Sequence, residues 1–119
     1  NEELKRARQE LEESRNKYLD LYEFSPIGYF TLDKQGAILE VNLSGAALLG
    51  VERDSLVMRR FQLFVEMDLW SEFNSFCNRV FESDTKQTCE LRLVKNDASL
   101  LYAYLEGIAM RDGESIVIR

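Results

Sequence analysis

The spacing of the apolar residues changes its period along this chain, and that change limits the fold more than any single residue does. Residues 1–24 repeat with helical spacing and residues 28–41 form two short β-rich runs. Residues 42–84 return to helical spacing, and residues 86–118 alternate as strands do. The order of one helix, two strands, several helices and three strands predicts an α+β fold.

The first 24 residues contain no glycine or proline, and their spacing follows a heptad seam. The seam residues, at spacings of 3, 4, 3, 4 and 3, are Leu4, Ala7, Leu11, Ser14, Tyr18 and Leu21. In a parallel dimer Glu3 of one helix faces Arg8 of the other. Glu10 faces Arg15 in the same way, so both pairs attract. We predict an amphipathic helix over residues 1–24 with the seam as a dimer interface; the alternative is a helix that packs on its own domain.

The only proline, Pro26, marks the boundary after this helix. The residue before a proline avoids the helical conformation, and proline has no amide hydrogen to continue the ladder. We therefore divide the chain into a helix at 1–24 and one domain at 25–119. Because the last strand has no visible ending, we expect it to be truncated and the parent protein to continue on both sides.

Local signals within the domain predict where its helices begin and end. Asn42 is expected to cap a short helix that Gly50 closes in a left-handed conformation. Asp68 is expected to cap a longer amphipathic helix. The turn at Asp97-Ala98 is expected to be longer than a two-residue turn, because alanine disfavours the positive φ angles of such turns.

Charge and composition exclude several classes of function. The net charge is −6, with the basic residues dispersed, which argues against nucleic-acid binding and against direct membrane contact. The chain contains no histidine, so it lacks the usual haem ligand, metal ligand and general base. Cys77 and Cys89 are expected to be reduced thiols in a cytoplasmic protein, and no metal site is expected.

A series of motifs resembles a PAS domain over about residues 22–119. The residues that carry the resemblance are Leu21–Asp33, Gly36, Ile38, Val41-Asn42, Ala47–Gly50, Phe61, Phe64, Asp68, Phe73 and Glu90–Lys95. The resemblance implies a five-stranded antiparallel sheet in the order 2-1-5-4-3, covered on one face by helices. No segment is similar to the cysteine motif of the photoactive flavin subgroup, so no photoactive flavin is expected. Because the chain contains no histidine, no histidine-ligated haem is expected either.

If a ligand binds, we expect it to be small and apolar and to lie between the sheet and the helices. The predicted pocket residues are Phe30, Leu32, Leu39, Val41, Phe61, Phe64, Phe73, Phe76, Leu91 and Leu93. The alternative is that these side chains simply fill the core.

The resemblance implies a non-enzymatic sensory and dimerisation module of a bacterial signal-transduction protein, such as a two-component system. Such a domain is covalently linked to an output, for example a histidine kinase or a cyclic-dinucleotide enzyme, and signals through its helical linker as a parallel homodimer. One alternative is a ligand-free dimerisation scaffold. A less favoured one is a small enzyme that uses a buried carboxylate.

Overall fold

One antiparallel sheet forms the body of the molecule, and the computed structural model describes it together with its helices over residues 2–119. The helices are α1 Glu2–Glu23, α2 Leu43–Leu49, α3 Arg53–Leu56 and α4 Trp70–Glu82, with 3₁₀ helices at Phe61–Phe64 and Met67–Leu69. The strands are β1 Phe30–Asp33, β2 Ile38–Val41, β3 Gln87–Val94, β4 Leu100–Ala109 and β5 Ser115–Ile118. Their order, β2-β1-β5-β4-β3, confirms the predicted topology. The helix predicted over residues 1–24 is present as α1; residue 1 lies outside the described residues.

The longest helix of the domain, α4, packs directly on the sheet. Its buried residues are Phe73, Phe76 and Val80, which share one face at helical spacing. Gly107 of β4 makes the close approach possible, since a Cβ there would lie 2.9 Å from Phe76 Cζ and 2.9 Å from Val80 Cγ2. The helix and the sheet are therefore in contact at this point.

A β-bulge between β1 and β2 changes which residues of β2 face the core. Thr31 pairs with Glu40, but the next residue, Leu32, pairs with Ile38, so Leu39 has no partner. The extra residue turns Leu39 outward, where 37% of it is exposed, and Ile38 is fully buried instead. The prediction that Leu39 lies on the core face is wrong, because simple alternation does not account for the inserted residue.

The predicted caps are confirmed at α2 and wrong at α4. Asn42 accepts a hydrogen bond from the Gly45 amide, and Gly50 closes α2 with φ of 71°. At α4 the N-cap is Leu69, without a side-chain hydrogen bond, and Asp68 lies in the preceding 3₁₀ helix. The 3₁₀ helix instead supplies a partner for the first amide of α4, since the Trp70 amide donates to the Met67 carbonyl.

The turn between β3 and β4 is built on an alanine with a positive φ angle. The Lys95 amide bonds to the Ser99 carbonyl, and the Ala98 amide bonds to the Lys95 carbonyl, each at 2.9 Å. The bonded pair Lys95 and Ser99 thus encloses residues 96–98, so the loop is longer than a two-residue turn, as predicted. The preference of alanine against positive φ angles does not explain the longer loop, because Ala98 itself adopts φ of 69°.

Candidate functional site

The residues predicted to line a pocket form the hydrophobic core, apart from Leu39. The other nine are all buried in one cluster. Phe61 lies at its centre, with its ring centroid 5.0 Å from that of Phe30 and 5.3 Å from that of Phe73. Edge-to-face and stacked contacts at these distances fill space. Most of the predicted pocket is therefore occupied by its own side chains, in line with the core-packing alternative.

An apolar opening remains at the edge of this core. Its volume is about 250 Å³, and three of the predicted residues, Phe30, Phe61 and Leu93, line it. The rest of its wall comes from residues 26–28, Leu48, β4 between Leu101 and Leu105, and the end of β5. The opening could hold a small apolar molecule that touches the central aromatic residues.

One wall of this opening is the part of β4 that lies beyond the positions at which β4 pairs with β5. β4 pairs with β5 only at residues 107–109, and the hydrogen bonds between Glu106 and Arg119 extend the pairing by one position. Residues 100–105 of β4 consequently have no strand partner on that side within residues 2–119. The alternation of Leu101, Ala103 and Leu105 along β4 could have identified this wall from the sequence.

The predicted dimer interface of α1 is exposed along its whole length. Between 66% and 72% of Leu4, Leu11, Tyr18 and Leu21 is exposed, and Ala7 and Ser14 are exposed as well. No residue of Glu2–Glu23 is buried. The alternative, a helix that packs along its own domain, is therefore not what the structure shows for these residues.

The root of α1 is fixed to the domain by one buried asparagine. Asn42 is fully buried, and its Oδ1 accepts hydrogen bonds from the Tyr29 and Gly45 amides at 2.9 Å. Its Nδ2 donates to the carbonyls of Tyr22 at 2.8 Å and Ile27 at 2.9 Å. Two acceptor and two donor bonds satisfy this side chain. The sequence indicated the cap but not the link to α1.

Further contacts surround this root. Glu23 of α1 forms an ion pair with Arg53 of α3, and the Ser44 hydroxyl donates to the Ser25 carbonyl. The Tyr22 ring lies 5.9 Å from that of Tyr29. The Tyr22 hydroxyl is buried without a hydrogen-bond partner in residues 2–119, and burial, followed by the charge of Glu40, raises its pKa to about 12.

The cysteine thiols and two carboxyl groups have shifted pKa values. Burial raises the pKa of the Cys77 thiol to about 12 and that of Cys89 to about 11, which suppresses the reactive thiolate at neutral pH. Two carboxyl groups have lowered pKa values, Asp97 through a hydrogen bond from Ser99 and Glu106 through one from Arg119. Within residues 2–119 there is no cluster of side chains suited to a metal ion. None of the helices described there is long and apolar enough to cross a membrane.

The comparisons with known proteins agree on one fold. The family model described as a PAS domain matches residues 26–119. No curated protein matches the chain. The PAS domain of an HTR-like protein from Haloarcula marismortui is similar, with 23% identity, a TM-score of 0.82, and coverage of 96% of this chain and 95% of that one.

Two further solved structures have the same architecture at lower identity. One is a domain of the sensory box sensor histidine kinase/response regulator from Geobacter sulfurreducens, with 20% identity, a TM-score of 0.77, and coverage of 91% and 94% of the two chains. The other is a PAS domain in complex with ethanol, from a LuxR-family transcriptional regulator of Burkholderia thailandensis, with 16% identity, a TM-score of 0.68, and coverage of 85% and 93%. At these identities the likeness establishes the fold alone.

Proposed function

Since the chain belongs to the PAS domain family, we propose that it is a non-enzymatic sensory and dimerisation module that signals through α1. The observation that carries the proposal is the contrast along α1. Its seam is exposed and available to a partner, whereas its root is held by the buried side chain of Asn42. A change in the domain can thus be passed to the helix, and from the helix to whatever the helix binds.

The proposed partner of α1 is a second copy of the same helix, in parallel. Apolar residues repeat along the seam at the coiled-coil spacing, and burying a leucine stabilises association by about 1.5–3 kcal/mol. The opposite charges of Glu10 and Arg15 beside the seam suit a parallel register. Ala7 and Ser14 contribute little buried area, so we expect a dimer of moderate affinity.

The proposed signal is a small apolar or weakly polar molecule bound in the apolar opening. The opening reaches Phe30 and Phe61, and Phe30 follows directly on Tyr29, whose amide is bonded to Asn42. The related PAS domain in complex with ethanol makes a small alcohol a reasonable class of ligand. A domain that binds no ligand and serves as a scaffold is the second candidate, which the closely packed core favours.

The pKa shifts of two carboxyl groups are consistent with the proposed non-enzymatic role. A general acid at neutral pH needs a raised pKa, usually through burial. The pKa shifts at Asp97 and Glu106 are in the opposite direction and arise from hydrogen bonds.

The proposal also includes a linked output, such as a histidine kinase or a cyclic-dinucleotide enzyme. It places the protein in the cytoplasm, because the two free thiols suit a reducing compartment.

Sedimentation equilibrium tests the dimer. The Leu11→Asp variant places a charge in the seam, so it should be monomeric at a concentration where the unchanged chain is dimeric. The Gln9→Asp variant is the matched control, because position 9 lies opposite the seam and receives the same new charge. A monomeric unchanged chain at high micromolar concentration, or equal behaviour of the two variants, would contradict the proposal.

A further inference from the structure

We propose that a polar cleft between α4 and the β1–β2 turn is a second binding site, which takes a small carboxylate with a planar apolar body. The cleft has a volume of about 240 Å³ and is separate from the apolar opening, with which it shares no residue. Its wall includes Lys34, Arg60, Gln62, Phe73, Asn74 and Asn78. This inference does not depend on the proposed signalling function.

Among the charged residues that line the cleft, Arg60 is the cation that has no ion pair in the described residues. Lys34 is paired with Glu114 at 3.4 Å, and the Asp33 carboxylate accepts the Gln35 and Ala37 amides at 2.9 Å. Arg60, by contrast, is exposed and has no ion pair in the part of the chain that the structure describes. A guanidinium group binds a carboxylate through two parallel hydrogen bonds, so Arg60 is the anion-binding group.

The floor and the sides of the cleft suit the rest of such a molecule. Phe73 is buried, and Cys77 and Phe81 are half-buried along the same side of α4, which gives an apolar floor. Asn74 and Asn78 are one helical turn apart and present exposed amides beside it. Gly36 closes the far side with φ of 80°, and a Cβ there would meet no atom within 4 Å, so the turn leaves space.

Chemical-shift titration of the 119-residue chain with sodium benzoate tests this site. We expect saturable shifts of the Gly36 backbone amide and the Asn74 and Asn78 side-chain amides. Benzyl alcohol, which has the ring without the charge, should bind more weakly. Arg60→Gln should lower the benzoate affinity about tenfold, because a charge-assisted pair is lost. Arg59→Gln, which removes a neighbouring arginine outside the cleft, should leave the affinity unchanged.

A blocking variant separates loss of charge from loss of space. Asn78→Leu keeps Arg60 but fills part of the cleft, so it should also weaken benzoate binding while the melting temperature stays close to that of the unchanged chain. The proposal is overturned if benzoate gives no saturable shifts. It is equally overturned if Arg59→Gln and Arg60→Gln have the same effect, or if the shifts are confined to β4 around Leu101–Leu105.

Discussion

Replacing Ala98 by glycine should stabilise the protein, which few substitutions do. Ala98 adopts φ of 69° in the turn between β3 and β4, a left-handed conformation that disfavours any residue with a Cβ. The residue is exposed, so the substitution removes no buried contact. The hydrogen bond from its amide to the Lys95 carbonyl does not involve the side chain.

The size of the effect follows from two opposing contributions. A left-handed conformation costs a residue other than glycine about 1–2 kcal/mol. Glycine loses more backbone freedom on folding, which costs about 0.5–1 kcal/mol relative to alanine. The difference between these contributions spans about 0–1.5 kcal/mol, so the free energy of unfolding should rise by about 0.75 kcal/mol. For a domain of this size that corresponds to an increase in melting temperature of roughly 2–8 °C.

Urea denaturation and thermal melting at a fixed protein concentration measure this change. The matched control is Ala47→Gly, because Ala47 is also exposed but lies inside α2. There glycine should lower the free energy of unfolding by about 1 kcal/mol. If Ala98→Gly destabilises the protein as Ala47→Gly does, the positive φ angle carries no strain and the reasoning fails.

Three further predictions concern the core, the helix root and the thiols. Phe73→Ala should cost about 3–5 kcal/mol of unfolding free energy by urea denaturation, and a much smaller loss would mean that Phe73 is not closely packed against Phe61. Asn42→Ala should cost about 2–4 kcal/mol and speed hydrogen exchange at the end of α1, since four hydrogen bonds are lost; unchanged exchange there would contradict its linking role. Because burial raises the pKa of Cys77 to about 12 and that of Cys89 to about 11, the unfolded chain, with thiol pKa values near ~8.5, loses these protons first. The thiols should thus contribute fully to the free energy of unfolding below about pH 8.5, and this contribution should decrease as the pH rises toward about 11–12. Cys77→Ala should reduce that decrease. A free energy of unfolding that does not change in this pH range would contradict the burial of the thiols.

The sequence was sufficient for the order of helices and strands along the chain, because each element carries its own local signal. Pro26 marks the end of α1, Asn42 and Gly50 mark the limits of α2, and the alternation in β3 identifies a strand. The strand order itself came from the resemblance to a family and not from these signals. Local patterns do not encode which strands pair over a long separation in sequence.

The candidate site was less accessible to prediction, for reasons that individual residues make clear. Alternation predicts the face of each residue only while the register is regular, and the bulge at Leu39 breaks it. Whether Phe61 borders a cavity or fills the core depends on distances between rings, which spacing does not determine. The wall of the apolar opening along β4 depends on where the pairing of β4 with β5 ends, which local spacing does not determine.

The attachment of α1 at one end gives the helix the properties of a lever. Its 22 residues correspond to a length of about 33 Å. Because Asn42 holds only the root at Tyr22, a tilt of about 5° there would displace the far end sideways by roughly 3 Å, a large part of the ~8–10 Å between the axes of packed helices. In the proposed dimer, a hydrogen-bond rearrangement too small to alter the core could therefore separate the side chains that meet across the seam at Leu4.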